Sequence, residues 1–272
     1  MIPSSIADRV GRILREAAEE VILPRFRTLQ SGQIEEKSPG DHVTVADREA
    51  ERLIMERLRD LVPGARVVGE ELASENPEVM ASLSDDKVWV VDPLDGTTNF
   101  VEGDGHFAVM VALLQRGEPL AGWILQPVGD RLLVAERGAG SFEDGVRVRC
   151  PSEAVAAHEL RGSALNRFMP GDVREHVESR RGRFREMLPG LKCAGYEYPA
   201  IVSGERHFAV FWRTLPWDHA PGTLFLTEAG GHAARLDGRA YRPAEDGIGL
   251  LVARNRCIWA DVSERLALAE AL

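Results

Sequence analysis

Asp92 and Asp95 lie three residues apart in Trp89-Val-Val-Asp-Pro-Leu-Asp-Gly-Thr-Thr-Asn-Phe100, after an apolar run and before a Gly-Thr turn. Two carboxylates ~4 Å apart repel by about 4 kcal/mol at an effective dielectric of 20, so the pair needs compensation. A hard divalent cation on oxygen ligands (Mg²⁺, Ca²⁺ or Mn²⁺) is the usual remedy. Gly96 and Thr97 follow directly and offer backbone N–H groups beside such a cation, which is the chemistry of a phosphate site. Three more acidic positions stand out: Glu70 after Arg66-Val-Val-Gly69, Asp218 after Leu215-Pro-Trp217, and Asp47 in Asp41-His-Val-Thr-Val-Ala-Asp47. Taken singly, each has an ordinary reading. Asp218 is an N-cap, Glu70-Glu71 a solvated charge pair, and Asp47 a first-turn residue complementing a helix dipole.

The elements that must carry these residues are readable from apolar period and turn chemistry. Apolar residues at helical spacing from Ile6 to Leu23 predict a long amphipathic helix ended by Pro24. Ser31 to Gly40 reads as a polar loop, and Thr44 or Asp47 starts a helix running to about Leu61. Strands are expected at Arg66–Gly69 and at Val88–Val91, the latter ending just before Asp92. Three more fall between His106 and Val134, punctuated by Gly117-Glu118 and Val128-Gly-Asp130. Beyond a soft boundary near Ser141 to Pro151, strands (Glu159–Ala164, Leu191–Ala194, Ala209–Trp212, Gly249–Ala253) alternate with helices (Asp172–Arg180, Tyr196–Val202, Asp218–Ala229, Cys257–Ala269). That alternation suggests an open α/β sheet in the second half. The expected organisation is an α+β unit over residues 1–145 carrying most of the acidic site, and an α/β unit over 146–272 supplying Asp218.

With 272 residues, 44% of them hydrophobic, the chain can build a substantial core. Its formal net charge of −10 argues against nucleic acid or an anionic membrane surface as main partner. It does not exclude an anionic substrate, because a bound metal inverts the local field. Cys150, Cys193 and Cys257 are isolated, which fits reduced thiols in a cytoplasmic protein. The N-terminal segment has no uninterrupted apolar core or small-residue cleavage site. No stretch approaches 18 uncharged apolar residues, so neither a secretory signal nor a membrane span is expected.

Four elements together carry a resemblance: Asp41-x-Val-Thr44-x-Ala-Asp47, Gly69-Glu70-Glu71, Trp89 to Phe100, and Trp217-Asp218-His-Ala-Pro-Gly222 followed by Glu228-Ala-Gly-Gly231. In order and separation, over nearly the full length, the chain resembles the inositol monophosphatase family of Mg²⁺-dependent, lithium-sensitive sugar-phosphate phosphatases. The resemblance implies a layered αβαβα sandwich of the sugar-phosphatase type, a homodimer, and two or three Mg²⁺ per site. Glu70, Asp92 and the carbonyl of Leu94 would hold the first metal. Asp92, Asp95 and Asp218 would hold the second, and Glu70 would reach a third through water. Thr97 and Asp47, with Glu70, would direct the attacking water. Asp95, Gly96, Thr97, Thr98, Ala194 and Asp218 would contact the substrate.

The match departs from the family in the region expected to choose the substrate. Inositol phosphatases usually place a Glu seven residues before the last metal Asp, and here that position is Phe211. An apolar ring cannot accept hydrogen bonds from a polyol, so selectivity built on that acceptor is weakened. Arg213 is either a contact for a second anionic group or, the blander reading, an exposed salt-bridging residue. Where relatives often read Gly-Ser-Ala-Ala-Leu-Asp, this chain has Lys192-Cys-Ala-Gly-Tyr-Glu197. Glu197 becomes a candidate for orienting other site groups, and Tyr196 and Tyr198 are pocket or core aromatics, more often core. His219 adjoins Asp218, but neighbours on a helix point apart, so packing is its expected role. Thr98 stands where nucleotide-directed relatives tend to have Lys.

The expected activity is thus Mg²⁺-dependent hydrolysis of inositol monophosphate or another small sugar or polyol phosphate. Fructose-1,6-bisphosphatase, histidinol-phosphatase and nucleotide-phosphate phosphatase are the rivals within the enzyme class. A regulatory or binding protein on the same fold is the rival outside it.

Overall fold

The computed structural model describes residues 4–38 and 40–267. In chain order the first half contains α1 (Ser4–Ala17), β1 (Ile34–Ser38), β2 (Asp41–Thr44), α2 (Val45–Arg59), β3 (Arg66–Gly69), α3 (Glu70–Glu75), β4 (Val88–Asp95) and α4 (Thr97–Glu102). It continues with β5 (Ala108–Gln115), β6 (Glu118–Gln126), β7 (Arg131–Glu136), β8 (Gly140–Glu143) and β9 (Val146–Val148). The second half contains β10 (Arg161–Leu165), α5 (Gly171–Ser179), β11 (Glu186–Leu188), α6 (Ala194–Val202), β12 (Phe208–Phe211), α7 (Pro216–Glu228), β13 (His232–Ala234), β14 (Leu250–Ala253) and α8 (Arg256–Leu266).

Strands β3 to β9 form a seven-stranded sheet in sequence order, with only β3 and β4 parallel. A five-stranded sheet has the order β11-β10-β12-β14-β13. Its β11, β10 and β12 are parallel and its last two pairings antiparallel, so it is mixed rather than wholly parallel. Period-two side-chain alternation sets the layers. Trp89, Val91, Val109 and Val111 face Leu14, Ile54 and Leu58 of α1 and α2. Val88 and Val90 face Trp217 and Ala220 of α7. Ala209 and Phe211 turn inward with Ala108, Met110, Tyr198 and Phe225, while Phe208 and Val210 turn outward with Val173, Val177, Ile258 and Val262 of α5 and α8. The layers therefore run helices, sheet, helices, sheet, helices, which is the expected αβαβα order. Helices α6 and α7 are buried between the two sheets. Gly222 makes this close packing possible, because a Cβ there would come within 2.2 Å of the Tyr198 ring.

Several local expectations differ from the structure. The long N-terminal helix is α-helical only to Ala17, after which a π-turn (Ala18–Ile22) and a 3₁₀ turn containing Pro24 finish it. The segment read as a polar loop contains β1, which pairs antiparallel with β2. Its sequence Ile-Glu-Glu-Lys-Ser lacks apolar alternation because most of the strand is exposed. Strand β4 does not stop at Val91 but continues to Asp95, with a register shift between Asp92 and Asp95. Pro93 has no N–H for the ladder, so the strand bulges there. Leu191–Ala194 is no strand: β11 lies earlier, and Lys192 (φ 56°) breaks the extended chain before α6 begins. Glu70 and Glu71 open α3 rather than trailing a strand. Helix α8 reaches Leu266, and its expected end at Ala269 lies outside the described residues.

Candidate metal and phosphate site

The parallel register of β3 and β4 pairs Gly69 with Val91, so Glu70 and Asp92 leave adjacent strands at the same tip. The end of a parallel pair is where open α/β sheets place ligands. The bulge at Pro93 then carries Asp95 to the same edge, and Leu94 N–H donates back to Asp92 Oδ1 at 3.0 Å. Gly96 turns the chain into α4 with φ 86°, and a Cβ there would come within 2.9 Å of the His106 carbonyl, so the turn requires glycine. Asp218 arrives in the first turn of α7, after Pro216 at the helix start.

Asp47 sits behind this edge. Thr44 caps α2 and Asp47 returns the bond: Asp47 Oδ2 accepts from the Thr44 N–H (2.8 Å) and hydroxyl (2.6 Å). Its other oxygen faces Thr97 Oγ1 at 3.0 Å, while the Leu94 carbonyl is a second acceptor for that hydroxyl at 2.9 Å. A hydroxyl has one proton, so it donates to one of the two at a time. Asp95 Oδ2 accepts from Gly195 N–H (2.6 Å) and Cys193 Sγ (3.0 Å), which ties the edge to α6.

Glu70, Asp92, Leu94, Asp95, Gly96 and Thr97 all line one cavity of about 760 Å³, as do Thr98, Ala194 and Asp218. Asp47 is buried at 2% exposure and reaches the cavity through Thr97. The acidic groups disfavour one another's charge. Burial, then Glu70, Asp95 and Asp218, hold Asp92 well above the usual carboxylate range. Burial foremost pushes Glu70 up to about 8 and Asp218 up to about 7. Burial also pushes Asp47 up to about 6, against the hydrogen bonds from Thr44 and Thr97.

The donor set is all oxygen, carboxylates plus the Leu94 carbonyl, and it fits a hard divalent cation. Among the described residues, no three acidic, imidazole or thiol groups already stand together as a finished metal cage. Lys37 Nζ lies 3.3 Å from Glu70 Oε1 and 2.6 Å from Glu71 Oε1, and Asp95 is engaged by Gly195 and Cys193.

Three residues here had little signal in the sequence. Lys37 falls in the hairpin read as a loop. Glu51, one turn after Asp47 on α2, accepts from the N–H groups of Glu71 and Leu72 at 2.8 Å each and so fixes the start of α3. Its signal was the i, i+4 spacing from Asp47. Cys193 was visible only as a departure from a family pattern. Glu71, whose ordinary reading was a solvated group, is buried at 6% exposure and paired with Lys37.

The specificity region also takes shape. Phe211 lines the cavity, stacked on Tyr198 (centroids 5.6 Å apart) and edge-on to His219 (4.7 Å). His219 is buried: its Nδ1 meets Tyr198 Oη at 2.8 Å and its Nε2 meets the Arg213 carbonyl at 3.1 Å, a packing role. Tyr198 is core, and Tyr196 lines a separate cavity of about 430 Å³. Glu197 is buried and paired with Arg206 at 3.1 Å, away from the reacting edge. Arg213 forms the salt bridge of its blander reading, 2.8 Å from Asp41, and lies 3.9 Å above the Phe168 ring.

The chain is similar to named proteins along nearly its whole length. A Thermotoga maritima protein named fructose-1,6-bisphosphatase/inositol-1-monophosphatase is 34% identical over 207 residues, covering 75% of this chain and 76% of that one. A Rhizobium meliloti inositol-1-monophosphatase is 33% identical over 226 residues, 82% of each chain. The solved structure of a Thermotoga maritima IMPase superposes with a TM-score of 0.81 at 27% identity, covering 97% of this chain and 98% of that one. The model of the inositol monophosphatase family matches residues 6–271, so the chain belongs to that family of phosphatases.

Proposed function

We propose that the protein is an Mg²⁺-dependent phosphomonoesterase acting on inositol monophosphate or a related small sugar or polyol phosphate. The observation that carries this reading is the convergence of Glu70, Asp92, Asp95 and Asp218 on one cavity, beside the Gly96-Thr97 turn. Glu70, Asp92 and the Leu94 carbonyl would hold one Mg²⁺, Asp92, Asp95 and Asp218 a second, and Glu70 would serve a third through water. When bound, the metals acidify the attacking water and offset charge developing on the phosphate and the leaving oxygen. The N–H groups of Gly96 and Thr97 receive phosphate oxygens. Thr97 Oγ1 orients the water and Asp47 behind it, hydrogen-bonded to that hydroxyl, takes up the proton. Asp95 and Asp218 take hydroxyls of the alcohol part, and the Ala194 backbone and Thr98 border it. Family resemblance extends the proposal to a homodimer, lithium inhibition and a cytoplasmic setting. Among the described residues no helix is long and apolar enough to cross a membrane.

A panel of phosphate esters assayed with Mg²⁺ and with EDTA tests the reaction. Phosphate release should require the metal, and Asp92→Asn should lower kcat/KM by more than about a hundredfold. Near-normal turnover in that variant would sink the metal assignment. Inositol 1-phosphate turning over far more slowly than another ester would sink the inositol assignment alone.

A further inference from the structure

Asp95 stands at the end of a chain of hydrogen bonds that begins on β8 and runs through Gln126, the last residue of β6, buried at 1% exposure. Glu143 on β8 pairs with Arg131 on β7: its Oε1 lies 2.8 Å from Nε and 2.7 Å from Nη2. The remaining Arg131 nitrogen, Nη1, donates to Gln126 Oε1 at 2.8 Å. That contact fixes which way the amide faces, because its oxygen and not its NH₂ group must meet a guanidinium. Gln126 Nε2 is thereby aimed at the Gly195 carbonyl, to which it donates at 2.9 Å. Inside an α-helix a carbonyl accepts from the N–H four residues on. For Gly195 that residue is Pro199, within α6, and proline has no N–H to give. Gln126 supplies the missing donor. Gly195 in turn donates its own N–H to Asp95 Oδ2 at 2.6 Å. The residue is tightly enclosed: a Cβ at 195 would come within 2.5 Å of Ala108 Cβ and 3.1 Å of Ile124 Cγ2. Glu143, Arg131 and Gln126 do not line the large cavity with the acidic groups; all three line the smaller one of about 430 Å³.

We propose that Gln126 is a positioning residue for the metal site: it holds the first turn of α6 where the Gly195 N–H fixes Asp95, and Arg131 in turn holds Gln126. This rests on the reading of Asp95 as a cation ligand. The ordinary alternative is that Gln126 only satisfies a buried carbonyl and so contributes stability alone. The geometry points further. The carbonyl and the N–H of Gly195 belong to one residue pressed against β5 and β6, so freeing the first loosens the second. A carboxylate with one oxygen hydrogen-bonded presents the other in a fixed direction, and such outer partners tune metal affinity about 10–100-fold. Because Gln126 and Arg131 lie outside the large cavity, they act on the site through Gly195 and not by touching substrate or cation.

Two substitutions of similar size test this. Gln126→Met keeps the length of the side chain without either hydrogen bond, and Gln126→Glu keeps an acceptor for Arg131 but offers no donor to the Gly195 carbonyl. In both, calorimetric titration with Mn²⁺ should show binding weakened about tenfold. The Mg²⁺ concentration for half-maximal phosphate release should rise by the same factor, with kcat at saturating Mg²⁺ within about twofold of the parent. A purely stabilising Gln126 predicts a lower melting temperature and, well below it, unchanged metal affinity; that result overturns the proposal. A loss of kcat that saturating Mg²⁺ does not recover overturns it too. Amide exchange in metal-free protein reads the same link without a cation: the Gly195 N–H should exchange about tenfold faster in Gln126→Met, while the amides of β5 keep their protection. Unchanged exchange at Gly195, or equal acceleration at Gly195 and along β5, overturns the proposal. If the parent binds no Mn²⁺, the metal reading has failed, and the exchange measurement alone decides whether Gln126 holds this turn.

Discussion

Cys193 shows how one atom can hold a site in shape. Its thiol is buried, and burial together with the neighbouring Asp95 carboxylate pushes it well above the ordinary range, so it stays protonated and able to donate. Serine in its place keeps a donor toward Asp95 Oδ2, whereas alanine leaves the Gly195 N–H as the remaining hydrogen bond to that oxygen from this corner. Cys193→Ala should therefore raise the Mg²⁺ concentration for half-maximal activity by about tenfold, with Cys193→Ser much nearer the parent. A metal titration of the two variants, followed by phosphate release, checks this. At this scale Asp92 and Asp95 were legible because their spacing is chemically awkward without a cation. Lys37 and Cys193 were not, because each matters only through a partner more than thirty residues away.

Secondary-structure elements were legible where burial is one-sided or continuous. Strands β4 to β7 fell where apolar runs and glycine turns placed them, because both faces of that part of the sheet are covered. Strand β1 was not, since nothing packs on most of its side chains, and Leu191–Ala194 misled because Cys193 and Ala194 are buried against the site rather than in a strand. The cap of α2 is the element on which the proposed catalysis leans most directly, for it both starts the helix and positions Asp47. Thr44→Ala removes the side-chain acceptor for Ala46 N–H and one donor to Asp47. The loss should be about 1 kcal/mol of stability, read as a lower urea midpoint at unchanged slope. Activity should fall by more than the small unfolded fraction explains, because Asp47 loses a restraint. Equal activity per folded molecule would show that Thr97 and the residue-44 backbone N–H suffice to place Asp47.

For the whole molecule, the concentration of buried acid makes stability depend on pH in an unusual direction. Asp47 (about 6), Glu51 (about 7), Asp218 (about 7) and Glu70 (about 8) are all raised above unfolded carboxyls, chiefly by burial, which titrate near ~4. Between those values these four carboxyls hold more protons in the folded chain than in the unfolded one, so their contribution to stability falls as pH rises from about 4 to about 8. His219, pushed down to about 3 by burial, opposes it only below its ordinary value near 6.5. In EDTA, the thermal midpoint should drop steadily across that range. Mg²⁺, by offsetting the same charges, should restore more stability at pH 8 than at pH 5. Scanning fluorimetry with and without metal at each pH is the measurement. A metal effect independent of pH would separate the cation from these carboxyls. The layered order of the molecule followed from family resemblance more than from pattern. Periodicity alone did not reveal that α6 and α7 are covered by both sheets, nor that the second sheet is mixed.

That middle layer has a temporal meaning. Glu70, Asp92 and Asp95 come from neighbouring strands and can gather early in folding. Asp218 is more than a hundred residues further along, on a helix whose core neighbours lie on both sheets. The proposed cation ligands come together only where α7 is enclosed by both sheets, so the proposed site requires the whole sandwich. If the proposed reading holds, phosphate release in a refolding chain should return no earlier than the packing of α7 between the sheets, which stopped-flow activity and fluorescence compare.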